Sequence, residues 1–162
     1  MQIAHPDLSL LVVGPMPWQL DWALGLPLIV LTVVLHVFGL LVIDGKIARV
    51  ETDFADRYGY AGMFVVIVGV TALSAALLHG IEGAIWAAAY RLVGALPDNA
   101  DAALYSLGAM TTYGHADLVL EKRWQVMGTL EALDGMLLFG LTTAFLFDII
   151  QKARGLRDRR SR

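Results

Sequence analysis

Apolar positions along the chain gather into three long runs separated by short polar stretches. Trp22–Ile43 (WALGLPLIVLTVVLHVFGLLVI) carries no acidic or basic side chain in 22 positions. At 1.5 Å of rise per residue, such a helix crosses about 30 Å of hydrocarbon. Tyr60–Ile81 is a second run, with a helix-like pattern continuing to about Val93. Met136–Phe147 is a third, extending back through Val126 and on to Ile150. The pattern predicts an all-α membrane protein with three transmembrane helices.

Residues 94–125, between the second and third runs, are too many for a tight turn and too apolar for a simple exposed loop. Pro97 and Asp98 form a helix-start signal. From Asn99 to Met110 the Ala, Leu and Met content favours helix, with Leu104, Leu107 and Thr111 on one face. This helix is half a span long, so it is expected to enter the membrane and stop. Thr111 and Thr112 follow with two hydroxyls, then Tyr113, Gly114, His115, Ala116 and Asp117. Non-helical backbone at membrane depth survives only where protein buries it or where it lines a water-filled path. The carbonyl end of a helix is the negative pole of its dipole and favours a cation.

Composition agrees with a membrane chain. Hydrophobic residues make up 57% and charged residues 17%, against about 25% charged in a typical soluble domain. Mean hydropathy is +0.64. The absence of cysteine excludes a disulfide framework and thiolate metal ligation. Orientation follows from the twelve basic residues. Nine lie in the first connection (Lys46, Arg49, Arg57) and the tail QKARGLRDRRSR; Arg91, Lys122 and Arg123 lie between the second and third runs. Positive charge stays on the cytoplasmic side. A multi-pass protein of the inner (plasma) membrane is therefore expected, with its N-terminus outside and its C-terminus inside. Residues 1–45 hold no Lys or Arg, so no signal peptide with a basic n-region is expected. LSLLVVGPMPW is too short to span and is broken by Pro15 and Pro17; residues 1–21 read as an interfacial segment with Trp18 and Trp22 at headgroup level. The basic tail reads as a stop-transfer and lipid-headgroup element rather than a nucleic-acid patch.

ALYSLGAMTTYGHAD (103–117) resembles the pore helix and filter of the potassium channel superfamily, with Thr111, Thr112, Gly114 and Asp117 in register. RWQVMGTLEALDGMLLFGLTTAFLF is similar to that family's inner helix. HGIEGAIWA taken together with LEALDGMLLFG resembles small bacterial ion channels of the two-pore-domain type. The resemblance implies a pore module over 60–151: outer helix, pore helix 98–111, filter 112–117 and inner helix 126–151. It also implies a homotetramer, a hinge at Gly135 and Gly140, and a cavity lined by Met136, Phe139 and Thr143. Residues 22–43 would then be a peripheral helix, 44–59 a cytoplasmic loop and 152–162 a basic tail. Where the family has Gly-Tyr-Gly, this chain has Gly114-His115-Ala116, and Tyr113 replaces a small branched residue. Each filter carbonyl must face the axis to replace potassium hydration. A Cβ at the last position costs about 1–2 kcal/mol in the left-handed conformation. Weak potassium preference among monovalent cations is the expectation.

Intramembrane ionisable groups usually face protein. His79 and Glu82, one turn apart, lack a third and fourth metal ligand nearby, so a hydrogen-bonded pair bracing the pore helix is expected and no metal or cofactor. Glu131 and Asp134 invite the same reading, or could concentrate cations near the outer half of the pore. His36, alone in the first run, reads as a helix–helix contact. No nucleotide loop, nucleophile–base arrangement or haem motif occurs, and HGIE lacks the second histidine of a zincin motif, so no enzyme is expected. Three functions stand: a cation channel, a non-conducting channel-like regulatory or structural subunit, and a proton or cation pathway using His79, Glu82 and His115.

Overall fold

The structure is a computed structural model that describes residues 17–114 and 117–160, with backbone alone at 17, 48–58 and 156–160. A helix runs Pro17–Leu92 and breaks at Gly59 (φ 71°, ψ 169°). That dihedral pair is open to glycine and strained for a residue with a Cβ, so the chain folds back at this point. The two arms, Trp18–Ile47 and Gly59–Leu92, are the first and second spans. They pair antiparallel: His36 meets Glu82, and a Cβ on Gly39 would come within 2.6 Å of the Leu78 side chain.

The third span, Lys122–Gly155, opens with a 3₁₀ turn at Lys122–Trp124 and continues as the helix Gln125–Arg160. It lies parallel to the first span, with Thr32 on Asp134, His36 on Thr142 and Asp44 on Lys152. It lies antiparallel to the second, with Tyr90 on Glu131, Trp86 on Asp134 and His79 on Thr142. The result is a bundle of three helices, each long and apolar enough to cross a bilayer, as a multi-pass membrane protein requires.

The expected boundaries shift in three places. Residues 44–59, expected as a loop, are helical apart from the break at Gly59. The physical reason is composition: between Gly45 and Gly59 there is no Gly or Pro to stop a helix. The third helix likewise runs past 151 to Arg160. Of the interfacial segment expected over 1–21, residues 1–16 lie outside the described part, and Pro17 onward already belongs to the first helix.

Burial is inverted relative to a soluble bundle. Only 17%, 22% and 28% of the three apolar windows is covered by protein. Val30, Val34, Phe38 and Leu41 on the first span and Val65, Leu73 and Leu77 on the second are exposed, a face suited to lipid. The inward stripe of the first span is Asp21, Gly25, Thr32, His36 and Leu40. On this span polar and small residues point in, joined by Leu40, and most large apolar ones point out. The second and third spans also bury Trp86, Tyr90, Met127 and Leu138.

The short helix Asn99–Met110 starts where the sequence places it, with the Asp98 carboxylate accepting from the Ala100 and Asp101 amides at 2.7 and 3.1 Å. Its inward face is Ala102, Ser106, Gly108 and Met110, while Leu104 and Leu107 are about half exposed. It descends alongside the third span, with Ser106 on Glu131 and the Met110 backbone against Gly135. A Cβ at Gly135 would collide with the Met110 carbonyl, which only glycine avoids. Gly135 is about 20 Å along the third span from Lys122 at 1.5 Å per residue, near that span's middle.

Candidate functional site

Two groups of chemistry-bearing residues result, and they are built differently. The first is the tip of the short helix. Thr111 closes the helix as its C-cap, and its hydroxyl turns back to donate to Leu107 O at 2.7 Å. Thr112 adopts φ 57° and Gly114 φ 71°. The amides of Thr111, Thr112 and Gly114 return to the carbonyls of Leu107, Ala109 and Gly108 at 3.0–3.2 Å. The last-turn carbonyls are thus capped by the segment that follows them. Thr111, Thr112, Tyr113, Gly114 and Asp117 are all exposed. His115 and Ala116, the two residues on which the filter expectation most depends, lie outside the described residues.

The second is a seam of buried polar groups between the spans. Glu82, Glu131, Asp134 and His36 are fully covered, and in hydrocarbon each needs a partner. At the level of the short helix, Glu131 Oε2 accepts from the Tyr90 hydroxyl at 2.6 Å. Its Oε1 bonds the Ser106 hydroxyl, which also reaches Gly83 O at 2.7 Å. One turn further along the third span, Asp134 Oδ2 accepts from Thr32 Oγ1 at 2.7 Å and from Trp86 Nε1 at 2.9 Å. Deeper still, His36 Nδ1 lies 2.8 Å from Glu82 Oε1. Thr142 Oγ1 lies 3.0 Å from His36 Nε2 and 3.1 Å from His79 Nε2. The seam joins all three spans, and Ser106 ties the short helix to it.

The remaining predicted residues divide between these groups. Met136 and Thr143 are exposed, Thr143 donating to its own helix at Phe139 O (2.8 Å). Phe139 is half exposed and stacks on the His79 ring at 4.6 Å between centroids, so one cavity-lining candidate leans on the seam. Gly135 is a packing contact for the short helix, whereas Gly140 has open space around it. His79 Nδ1 lies 3.4 Å from Glu82 Oε2 without a hydrogen bond, and His36 joins the two residues as a third member.

Sequence reading by itself missed Asp21, Thr32, Trp86, Tyr90, Ser106 and Thr142. Asp21 is buried and faces the first turn of the third span near the Val126 and Met127 backbone. The usable signal was the four-residue step of polar and small residues inside an apolar run, Asp21, Gly25 and then Thr32, His36. Comparison with protein-family models, with curated proteins and with solved structures finds no match for this chain.

Proposed function

We propose that the chain is the subunit of a cation-conducting channel, in which four copies surround a pore and monovalent cations pass with weak potassium preference. The short helix carries this reading. It enters from one end of the bundle, stops near mid-span and turns at Thr111 to Gly114, leaving exposed polar groups that its own chain does not enclose. A single such segment cannot surround a cation, whereas a ring of them does. The helix end, with its negative pole at mid-depth, favours a cation there. In this reading residues 112–117 form the filter, the short helix is re-entrant, and Met136 and Thr143 face the cavity. The end bearing Arg91, Lys122 and Arg123 lies outside.

Reconstituted vesicles test it. Potassium and sodium gradients should each drive current, with reversal potentials differing little between the two ions. The double substitution His115→Tyr with Ala116→Gly should raise potassium preference. Absence of flux for both ions would remove the channel reading and leave the non-conducting subunit or the proton path, and a monomer or dimer by mass in nanodiscs would remove the pore. A second reading rests on the seam, whose buried carboxyls and imidazoles at successive depths suit a proton path. Current driven by a pH gradient alone, lost in Glu82→Gln, would support that reading over the first.

A further inference from the structure

His36, His79 and Glu82 come together from two spans, and each can offer a ligand atom within 4.8 Å of the others. The surroundings are set by one hydroxyl. Thr142 Oγ1 lies 3.0 and 3.1 Å from the Nε2 atoms of the two histidines. The opposite nitrogens face the Glu82 carboxyl, His36 Nδ1 at 2.8 Å from Oε1 and His79 Nδ1 at 3.4 Å from Oε2. The four side chains close a ring of four polar contacts, with His36 and Glu82 fully buried.

Counting hydrogens exposes the imbalance. A neutral imidazole has one N–H and a hydroxyl one O–H, so two histidines and a threonine supply three hydrogens for four contacts. The contact left out is visible: Glu82 Oε2 and His79 Nδ1 are buried atoms with no hydrogen-bond partner. An orphaned carboxyl oxygen in the interior of a membrane bundle is costly. If Thr142 accepts from both Nε2–H groups with its two lone pairs, both Nδ1 lone pairs and the carboxyl oxygens converge on one point. Four acceptors facing each other call for a cation between them.

We propose that His36, His79 and Glu82 bind a divalent transition metal ion of the zinc class, with Thr142 holding both imidazoles in the ligating tautomer. Two nitrogen donors and one carboxylate select such metals over magnesium or calcium, which take oxygen ligands. Ligands about 2.0–2.1 Å from zinc in a tetrahedron stand about 3.3 Å apart. The His79–Glu82 separation of 3.4 Å already meets that, and the His36–Glu82 pair at 2.8 Å needs to open slightly. A ligating histidine normally donates its remote N–H to a carboxylate, carbonyl or water; here the Thr142 hydroxyl takes that place for both rings. Asp134, within electrostatic reach of both Glu82 and His36 and with Oδ1 unpartnered, places another carboxyl beside the positive charge. The ion would pin the first span to the second, and through Thr142 to the third. This assignment stands apart from the channel reading and does not require conduction.

The test is titration of the purified, metal-stripped protein with Co²⁺, then Zn²⁺. One Co²⁺ per chain should bind, a water completing the three protein ligands, with the visible bands of four-coordinate cobalt, and Zn²⁺ should displace it and raise the unfolding temperature. His36→Gln, His79→Gln and Glu82→Gln should each abolish the bands. Thr142→Val should keep the stoichiometry and weaken binding by about 10–100-fold. His5→Ala and His115→Ala should change nothing. The wild-type titration decides even if a seam variant fails to fold. Absence of cobalt bands in the parent overturns the assignment, as do bands that survive His36→Gln or vanish in His115→Ala.

Discussion

The seam and the tip of the short helix place polar groups at comparable depth, yet they solve the problem of doing so in opposite ways. Along the seam, carboxyls meet donors from other helices, as Asp134 does with Thr32 and Trp86. At the tip, the amides of Thr111, Thr112 and Gly114 bond to their own last turn, and these residues are exposed. The bundle is therefore mostly closed within one chain, with such exceptions as unpartnered buried oxygens of Asp21, Glu82 and Asp134 and His79 Nδ1, and the tip is open. Polar backbone at mid-span must be covered by protein or water, so the difference locates where further copies or a water path would have to be. Stability should reside in the seam and, on the channel reading proposed above, transport in the tip.

The sharpest way to break this contrast is at Gly135. Adding a Cβ there drives it into the Met110 backbone, which cannot swing aside as a side chain could. Gly135→Ala should cost about 3 kcal/mol, while Gly140→Ala, with open space around it, should leave the unfolding midpoint in detergent unchanged. Equal effects at the two glycines would mean that the short helix is not anchored where it is described.

Next in size is Asp134. Asp134→Ala strands the Trp86 donor, while Thr32 keeps Leu28 O and Ile29 O as acceptors. It should cost about 2 kcal/mol, with Asp134→Asn costing less because its carbonyl oxygen still accepts. Denaturation in mixed micelles separates the two. If the alanine and asparagine variants match the parent, the seam contributes packing and no hydrogen-bond energy.

A smaller, pH-dependent effect belongs to Asp98, where bonds from the Asp101 and Ala100 amides hold the carboxyl below the usual carboxylate range. A pKa depressed by folding gives stability that is complete above the unfolded value of about 3.9 and is lost as pH falls through the folded value. Asp98→Asn keeps a capping oxygen and should flatten that acid-side loss, read as helicity against pH. At the tip itself the effect on stability should be smallest. Thr111→Val and Thr112→Ala should shift unfolding by less than about 0.5 kcal/mol while altering conductance. A stability loss there without a change in current would reverse the contrast.

The large features were readable because they are local. Span lengths follow from uninterrupted apolar runs, and the short helix announces its start at Pro97-Asp98. The connection over 44–59 is helical where a loop is expected, because its charged residues interrupt the apolar pattern while no Gly or Pro between Gly45 and Gly59 stops a helix. The seam was half readable: Glu82, Glu131 and Asp134 stand out within apolar sequence, but their partners do not. Thr32 is 102 residues from Asp134, and His36 is 46 from Glu82. No periodicity within one helix encodes which residue of another it meets. Tyr90 and Trp86 look like ordinary membrane aromatics until the fold supplies the carboxyls they serve.

The separation of Thr32 from Asp134 also sets an order of events during synthesis. The ribosome adds about 5–20 residues per second, so the first span waits roughly 5–20 seconds in the bilayer before its partner on the third exists. Its hydropathy of 2.8 lets it enter alone, and the second follows at 2.3. Thr32 has Leu28 O and Ile29 O of its own helix within reach at 2.9 and 3.0 Å, acceptors that need no partner span. The third span is the least apolar, at 1.7, and carries Glu131 and Asp134, each costing about 2.5–3.5 kcal/mol at a helix centre. It arrives last, where Thr32, Trp86 and Tyr90 are already in place to receive those carboxyls.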